Sequence, residues 1–301
     1  MSAPEPLRLF QVDAFTRVPF TGNAAGVVFG GERLTTEAMQ AIARELNNSE
    51  TAFVLPPESL DHEVYIRYFT PTVEVPICGH ATIAAHYVRA RLLGLPTSRV
   101  LQRSPAGLFP IDVIAGDDYR IVMTQQRPVF GPRLNGEWRA RAASALGIDA
   151  GDLDPVLPLR AVSTGSTKLL VPLTSSAPLN AMTPDMRAVE ALTREAGVNG
   201  LFPFTLRPDS DRVLAEARMF APGIGIAEDP VTGNGNGPLG AYLAAEGVLA
   251  GDGVHRFTSL QGRAMGRPGH VHVEVTVRDG EVELVRVGDE AVIVFETTYS
   301  A

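Results

Sequence analysis

The sequence is most informative first in what it lacks. It has one cysteine, Cys78, in 301 residues. That excludes an intramolecular disulfide framework and any mechanism needing two thiols from one chain. A single thiol suits a reducing compartment. No run is apolar for long enough to cross a bilayer as a helix. The start, Met1 to Arg8, lacks the basic residues and apolar stretch of a secretion signal, so a cytoplasmic protein is expected. There is no long basic run and the formal charge is −8. Nucleic acid and anionic membrane surfaces are therefore not expected as partners. A small anionic ligand still fits, because a local pocket can oppose the net charge. The glycine-rich stretch at 232–237 is not followed by Gly-Lys-Ser/Thr, and no acidic strand end lies at dinucleotide-binding spacing. No Gly-x-Ser-x-Gly elbow occurs. His270 and His272 share a strand face without a carboxylate–histidine cluster around them, so no metal is expected.

What is present is a globular composition, 45% hydrophobic and 20% charged, with length for one large or two ordinary domains. Strand-like segments run over Leu9–Phe15, Ala25–Phe29, Thr51–Leu55 and Val64–Phe69. Thr35 can cap a helix over Thr36–Leu46, with Ala38, Ile42 and Leu46 on one face. Glu50 then falls at a helix-to-strand junction. A second helix is expected from about Ala81 to Leu93, closed by Gly94 and Pro96. Gln126–Arg133, with two prolines and a glycine, reads as a linker. It divides the chain into an N-terminal domain, 1–125, and a C-terminal domain, 126–301, whose last strand can return to the first. Beyond it come a helix near Trp138–Leu146, strands at Thr167–Leu173 and Ala215–Phe220, and a helix from about Pro238 to Glu246. Pro238 fits the first turn of that helix. Val271–Arg278 and Val282–Val287 flank Asp279-Gly280, a hairpin signal. Ala291–Phe295 is a last strand.

The halves resemble each other. Arg67-Tyr68-Phe69-Thr70-Pro71 matches Arg218-Met219-Phe220-Ala221-Pro222, and each is followed by a glycine-bearing turn and a small-residue helix. An internal duplication would present a helix N-terminus in each half, aimed at one shared cleft. Such ends carry unpaired N–H groups and partial positive charge, so Gly79-His80 and Gly233–Gly237 could grip a carboxylate without an arginine. Read locally, each candidate has a plain alternative: Glu50 as a solvated acid, Asp229 as a turn former, Cys78 as a buried thiol, His80 as a turn-closing residue.

Together the motifs are similar to one known family. Gln11-Val12-Asp13-Ala14-Phe15 with Phe20-Thr21-Gly22-Asn23, then Asn48-Ser49-Glu50-Thr51-Ala52-Phe53, Cys78-Gly79-His80-Ala81-Thr82 and Glu228-Asp229-Pro230-Val231-Thr232-Gly233 resemble, in order, the signatures of PhzF-like proteins. The resemblance implies an α+β fold of the diaminopimelate-epimerase type: two similar domains, each a β-barrel-like sheet around a central helix. It implies an isomerase that works without a cofactor, commonly as a homodimer, on a small carboxylate. In the phenazine-pathway member, a glutamate matching Glu50 relocates a proton on a dihydro-hydroxyanthranilate, so Glu50 is expected as the acid/base. His80 and Asp229 are expected to assist proton transfer. Ser49, Cys78, Gly79, Gly233, Asn234 and Gly235 are expected as substrate contacts. Two departures stand out. Asn234 replaces a serine of the phenazine enzyme, which bears on the substrate. Asp229-Pro230 stands where related racemases carry a second cysteine, so a two-thiol racemase is excluded. The rival expectations are an epimerase pairing Cys78 with an acid, and a non-catalytic carboxylate-binding protein.

Overall fold

Two helices in this chain bury every face, and the strands are arranged around them. The computed structural model describes residues 6–299. It divides into unit 1, residues up to Thr124 with Gly288 onward, and unit 2, Gln125–Val287. Unit 1 holds β1 (Leu7–Ala14), β2 (Asn23–Phe29), α1 (Thr36–Leu46), β3 (Glu50–Leu55), β4 (Val64–Phe69), β5 (Glu74–Val75), α2 (Gly79–Leu93), β6 (Ser98–Ser104), β7 (Gly107–Ile114) and β8 (Arg120–Thr124). Unit 2 holds β9 (Val129–Leu134), α3 (Glu137–Leu146), β10 (Leu159–Ser163), β11 (Thr167–Leu173), α4 (Ser176–Ala181), α5 (Met186–Ala196), β12 (Leu201–Thr205), β13 (Ala215–Ala217), α6 (Gly233–Ala245), β14 (Gly253–Gln261) and β15 (Gly269–Arg278). The chain leaves unit 2 within β16 (Glu281–Asp289), and β17 (Ala291–Tyr299) belongs to unit 1.

In unit 1, β1 pairs antiparallel with both β17 and β2. β3 runs parallel to β2 after the α1 crossover, and β4 antiparallel to β3. β6 runs parallel to β4 after the α2 crossover, followed by antiparallel β7 and β8. Unit 2 repeats the sequence of pairings. β12 is parallel to β11, β13 antiparallel to β12, β14 parallel to β13 after α6, and β15 antiparallel to β14. The repeated sequence segment also repeats its chemistry. The Arg67 guanidinium stacks 5.1 Å from the Phe69 ring and grips Glu74 with two bonds of 2.8 Å. Arg218 stacks 4.9 Å from Phe220 and grips Glu228 at 2.8 and 2.9 Å.

In α2 every residue from His80 to Val88 is buried, packed by β1, β2, β3, β7, β8 and β17. In α6 the same holds from Gly235 to Leu243, with β10, β11 and β15 around it. A surface helix keeps one polar stripe, and these keep none. Each unit is thus a strand layer around one buried helix, an α+β architecture. In unit 2 an outer layer of α3, α4 and α5 covers the far side of the strands, where Leu169, Val171 and Leu173 meet Leu146, Val189 and Leu192. Alternation along β11 then turns Lys168 and Leu170 to the opposite face.

Several local expectations change. α1 spans Thr36–Leu46 as expected, and Thr35 Oγ1 accepts from Ala38 N at 3.3 Å. α2 begins at Gly79, not near Ala81, and α6 begins at Gly233, leaving Pro238 inside the helix. For α6 the reason is packing. A Cβ on Gly235 would stand 2.3 Å from the Phe202 ring, and one on Gly240 would stand 2.7 Å from Val273. These glycines serve close approach of helix to strand, not a turn. β13 stops at Ala217, and Phe220 instead makes an isolated bridge to Leu201. Asp279 and Gly280 both have positive φ, 52° and 75°, the type I′ geometry of a two-residue hairpin.

Candidate active site

Glu50 opens β3 and is reached through a tightly held corner. Asn47 ends α1 in the left-handed region at φ 53°. Asn48 then exchanges two amide hydrogen bonds with Gln11 of β1, at 2.8 and 2.9 Å. This reciprocal pair fixes the loop carrying Ser49 and Glu50. Cys78 is the N-cap of α2, and Gly79 and His80 are its first residues. The Cys78 side chain caps no helix N–H, and neither does that of Thr232, the N-cap of α6. Both helix ends therefore keep N–H groups and dipole charge unclaimed by a capping side chain.

The segments of unit 1 meet at the His80 ring. Its Nε2 lies 3.2 Å from Ser49 Oγ and 3.4 Å from Glu50 Oε2, and its Nδ1 lies 3.4 Å from Cys78 Sγ. The His80 side chain is 7% exposed and that of Glu50 13%, so the carboxylate is largely withdrawn from water but reachable. An imidazole between a carboxylate and a thiol can hold or pass a proton. Among the described residues, Glu50, Cys78 and His80 also form a group whose donor atoms could reach one ion, all lying within 4.8 Å of one another. The sulfur, however, lies closer to Nδ1 than to Nε2, at 3.4 against 4.0 Å, while Glu50 faces Nε2. The ring stands between its two neighbours, which suits proton handling better than chelation.

A buried chain of hydrogen bonds fixes the backbone behind His80. Thr82 Oγ1 donates to the Cys78 carbonyl at 2.6 Å and pairs with the Tyr68 hydroxyl at 2.6 Å. Gln102 Nε2 donates to Tyr68 Oη at 2.9 Å, and His86 Nε2 pairs with Gln102 Oε1 at 2.9 Å. Each hydroxyl accepts one bond and donates one. That direction assigns the proton of His86 to Nε2. Burial pushes the His86 imidazole down to about 4, so it is neutral at physiological pH.

In unit 2 the Asp229 carboxylate accepts from Thr232 Oγ1, and its carbonyl accepts from Gln261 Nε2 at 2.9 Å. Gln261 Oε1 takes Thr232 N and Asn236 Nδ2, each at 3.1 Å. Gln125 Nε2 donates to the Gly233 carbonyl and to Asn234 Oδ1, each at 3.2 Å. Of the residues expected from sequence, Ser49, Glu50, Cys78, Gly79 and His80 gather at the start of α2. Asp229, Gly233, Asn234 and Gly235 gather at the start of α6, where Gly235 is also required by Phe202. One residue was not expected. Lys168 is 3% exposed, and burial pushes its ammonium down to about 8 while the Asp229 charge raises it. Its signal is compositional: among 26 lysine and arginine residues it is the only lysine.

Residues 12–297 match the family of phenazine biosynthesis-like proteins. The chain belongs to the PhzF family. It is 49% identical over 295 residues to an Escherichia coli K12 protein called uncharacterized isomerase YddE, covering 97% of this chain and 98% of that one. It is 30% identical to the trans-2,3-dihydro-3-hydroxyanthranilate isomerase of Pseudomonas chlororaphis, over 93% of this chain and 95% of that one. The crystal structure of a Bacillus anthracis PhzF-family protein superposes with a TM-score of 0.88 at 30% identity, covering 98% of this chain and 99% of that one. This PhzF-family chain is an isomerase.

Proposed function

We propose that this isomerase moves a proton within a small cyclic carboxylate by a one-base route, on a substrate of the class in the name of its Pseudomonas chlororaphis relative. The observation that carries the reading is the placement of Glu50, largely withdrawn from solvent and 3.4 Å from His80 Nε2. Glu50 takes a proton from one carbon, and the conjugated system carries the electron pair to another position, which is then protonated. One C–H bond breaks and one forms, so no electron acceptor is required. The His80 ring, which lies 3.2 Å from Ser49 Oγ, holds Glu50 in place, and His80 and Asp229 steady developing charge or supply a proton. Ser49, Cys78, Gly79, Gly233, Asn234 and Gly235 are the proposed substrate contacts, with uncapped helix N–H groups receiving the carboxylate. The same reading takes the enzyme to be a cytoplasmic homodimer.

Turnover of dihydro-hydroxyanthranilate and a panel of cyclic amino- and hydroxy-carboxylates in deuterated water tests this. Glu50→Gln is expected to lower the rate about 10²–10⁴-fold, the usual effect of removing an acid/base, while ligand affinity stays within a few fold. Wild-type rates in Glu50→Gln would sink the assignment. A second reading, an epimerase using the Cys78 thiol, draws on its 3.4 Å contact with His80 Nδ1. It requires deuterium entry at a stereocentre that is lost in Cys78→Ser.

A further inference from the structure

We propose that the Lys168 ammonium is an anion-binding residue and that its ligand is the carboxylate of the substrate. The inference rests on the reading above for the identity of the ligand, and on unit 2 alone for the site.

The chain uses arginine for every basic side chain except this one. Where a cation only solvates a surface or pairs across it, either residue serves. Where a compact charge must titrate or meet a ligand end-on, they differ, because the ammonium is a small, shiftable point charge and the guanidinium a wide, permanently charged fork. The single lysine is also placed where a cation is least expected. It lies near the start of β11, on the face opposite the Leu169–Val171–Leu173 cluster, and is 3% exposed. An ammonium has three N–H donors. Among the described residues one of them goes to Ser166 Oγ, at 2.7 Å. A buried ammonium with donors to spare is costly unless an anion meets it.

Asp229 is the charged group that acts on it, but Asp229 is already engaged. Its carboxylate takes the Thr232 hydroxyl, and that hydroxyl is thereby turned away from capping α6. The consequence is a cation with unused donors and a helix end with uncapped N–H groups, linked through Asp229 and Thr232. Both attract an anion. Asp229, Thr232, Asn234 and Ser166 are all partly solvent-accessible, so the cluster borders solvent even though the Lys168 side chain is buried.

A sole lysine makes the test direct. In the full-length protein grown on lysine labelled with ¹³C at Cε, one signal reports the group. It is expected to titrate near pH 8 without ligand. Anthranilate and acetate should each raise that midpoint by half a unit or more, whereas aniline, which lacks the carboxylate, should not. A midpoint unmoved by either carboxylate, at concentrations up to the highest the protein tolerates, overturns the proposal. Lys168→Met should weaken anthranilate binding at least tenfold by calorimetry below pH 8. Lys168→Arg should restore part of the affinity and abolish its loss above pH 8. Equal affinity in wild type and Lys168→Met also overturns it, and a thermal unfolding curve confirms that the variant is folded. If carboxylates move the signal but no member of the panel is isomerised, the anion site stands and the isomerisation reading falls.

Discussion

At the scale of single residues, Asp289 shows how burial sets a charge. Burial is the main cause holding its carboxyl near 7, far above the usual 3.8; the Glu290 backbone N–H opposes it by hydrogen bonding, the Glu290 charge adds to it, and Arg120 and Arg17 oppose it. The sign follows from proton counting. Between pH 3.8 and 7 the unfolded chain ionises while the folded one stays neutral, so stability falls as pH rises through that window. Asp289→Asn keeps an oxygen to accept from Glu290 N, now 2.8 Å from Asp289 Oδ1. The variant is expected to gain up to about 4 kcal/mol above pH 7, with little difference near pH 4. Urea unfolding across pH 4–8 would measure it, and a gain independent of pH would refute it. Lys168 has the opposite sense. Its lowered value makes stability rise between about pH 8 and its usual 10.5, and that rise should be missing in Lys168→Met. The two residues also differ in legibility. Glu50 and His80 lie within short, contiguous motifs, so their neighbours in sequence announce them. Lys168 follows Ser-Thr-Gly-Ser-Thr, which reads as a polar loop. Only the strand register and the far-off Asp229 reveal that it is buried.

At the scale of elements, glycine is the residue most easily misread. In a glycine-rich stretch before a helix, sequence alone favours a turn, and the starts of α2 and α6 were expected too late by that logic. The three-dimensional partner decides: Phe202 lies on β12 and cannot be seen from the local pattern. Gly235→Ala must displace that buried ring. The expected loss is about 1–3 kcal/mol, read as a fall in the urea midpoint, and an unchanged midpoint would show that the barrel yields easily. α5 is a different kind of miss. Asp185 caps it, accepting from Arg187 N and Ala188 N, Val189 and Leu192 are buried, and Gly197 closes it in the left-handed region. Each of those signals is present in the sequence. The helix lies in the outer layer, away from the motifs that drew notice. The short α4 carries Pro178 and no side-chain cap, so little in its sequence announces it.

At the scale of the whole molecule, duplication was legible only in part. A few matching residues at 67–71 and 218–222 suggested it. The pairing order and the paired arginine grips carry it much further, because strand direction is a relation between distant segments. The division of the chain has a similar character. Unit 2 is one continuous stretch, Gln125–Val287. A fragment of those residues is expected to fold alone, with a cooperative thermal transition by circular dichroism. Residues 1–124 alone are expected not to, since β1 would lose one of its two partners along Leu7–Ala14 and keep only β2. Adding residues 288–301 as a separate peptide should restore structure to that fragment. A cooperative transition in 1–124 without the peptide would disprove the requirement.

The pairing of β1 with β17 also bears on the order of events at the ribosome. β1 waits for β17, with all of unit 2 made in between. Unit 2 can reach its native state during translation, while β1 presents an unfinished edge of the kind that invites mispairing with other chains. The half of the protein that carries Glu50 and His80 is therefore the last to mature. Nascent chains stalled before β17 should lack an assembled Glu50–His80 pair, so the proposed acid/base site arrives late.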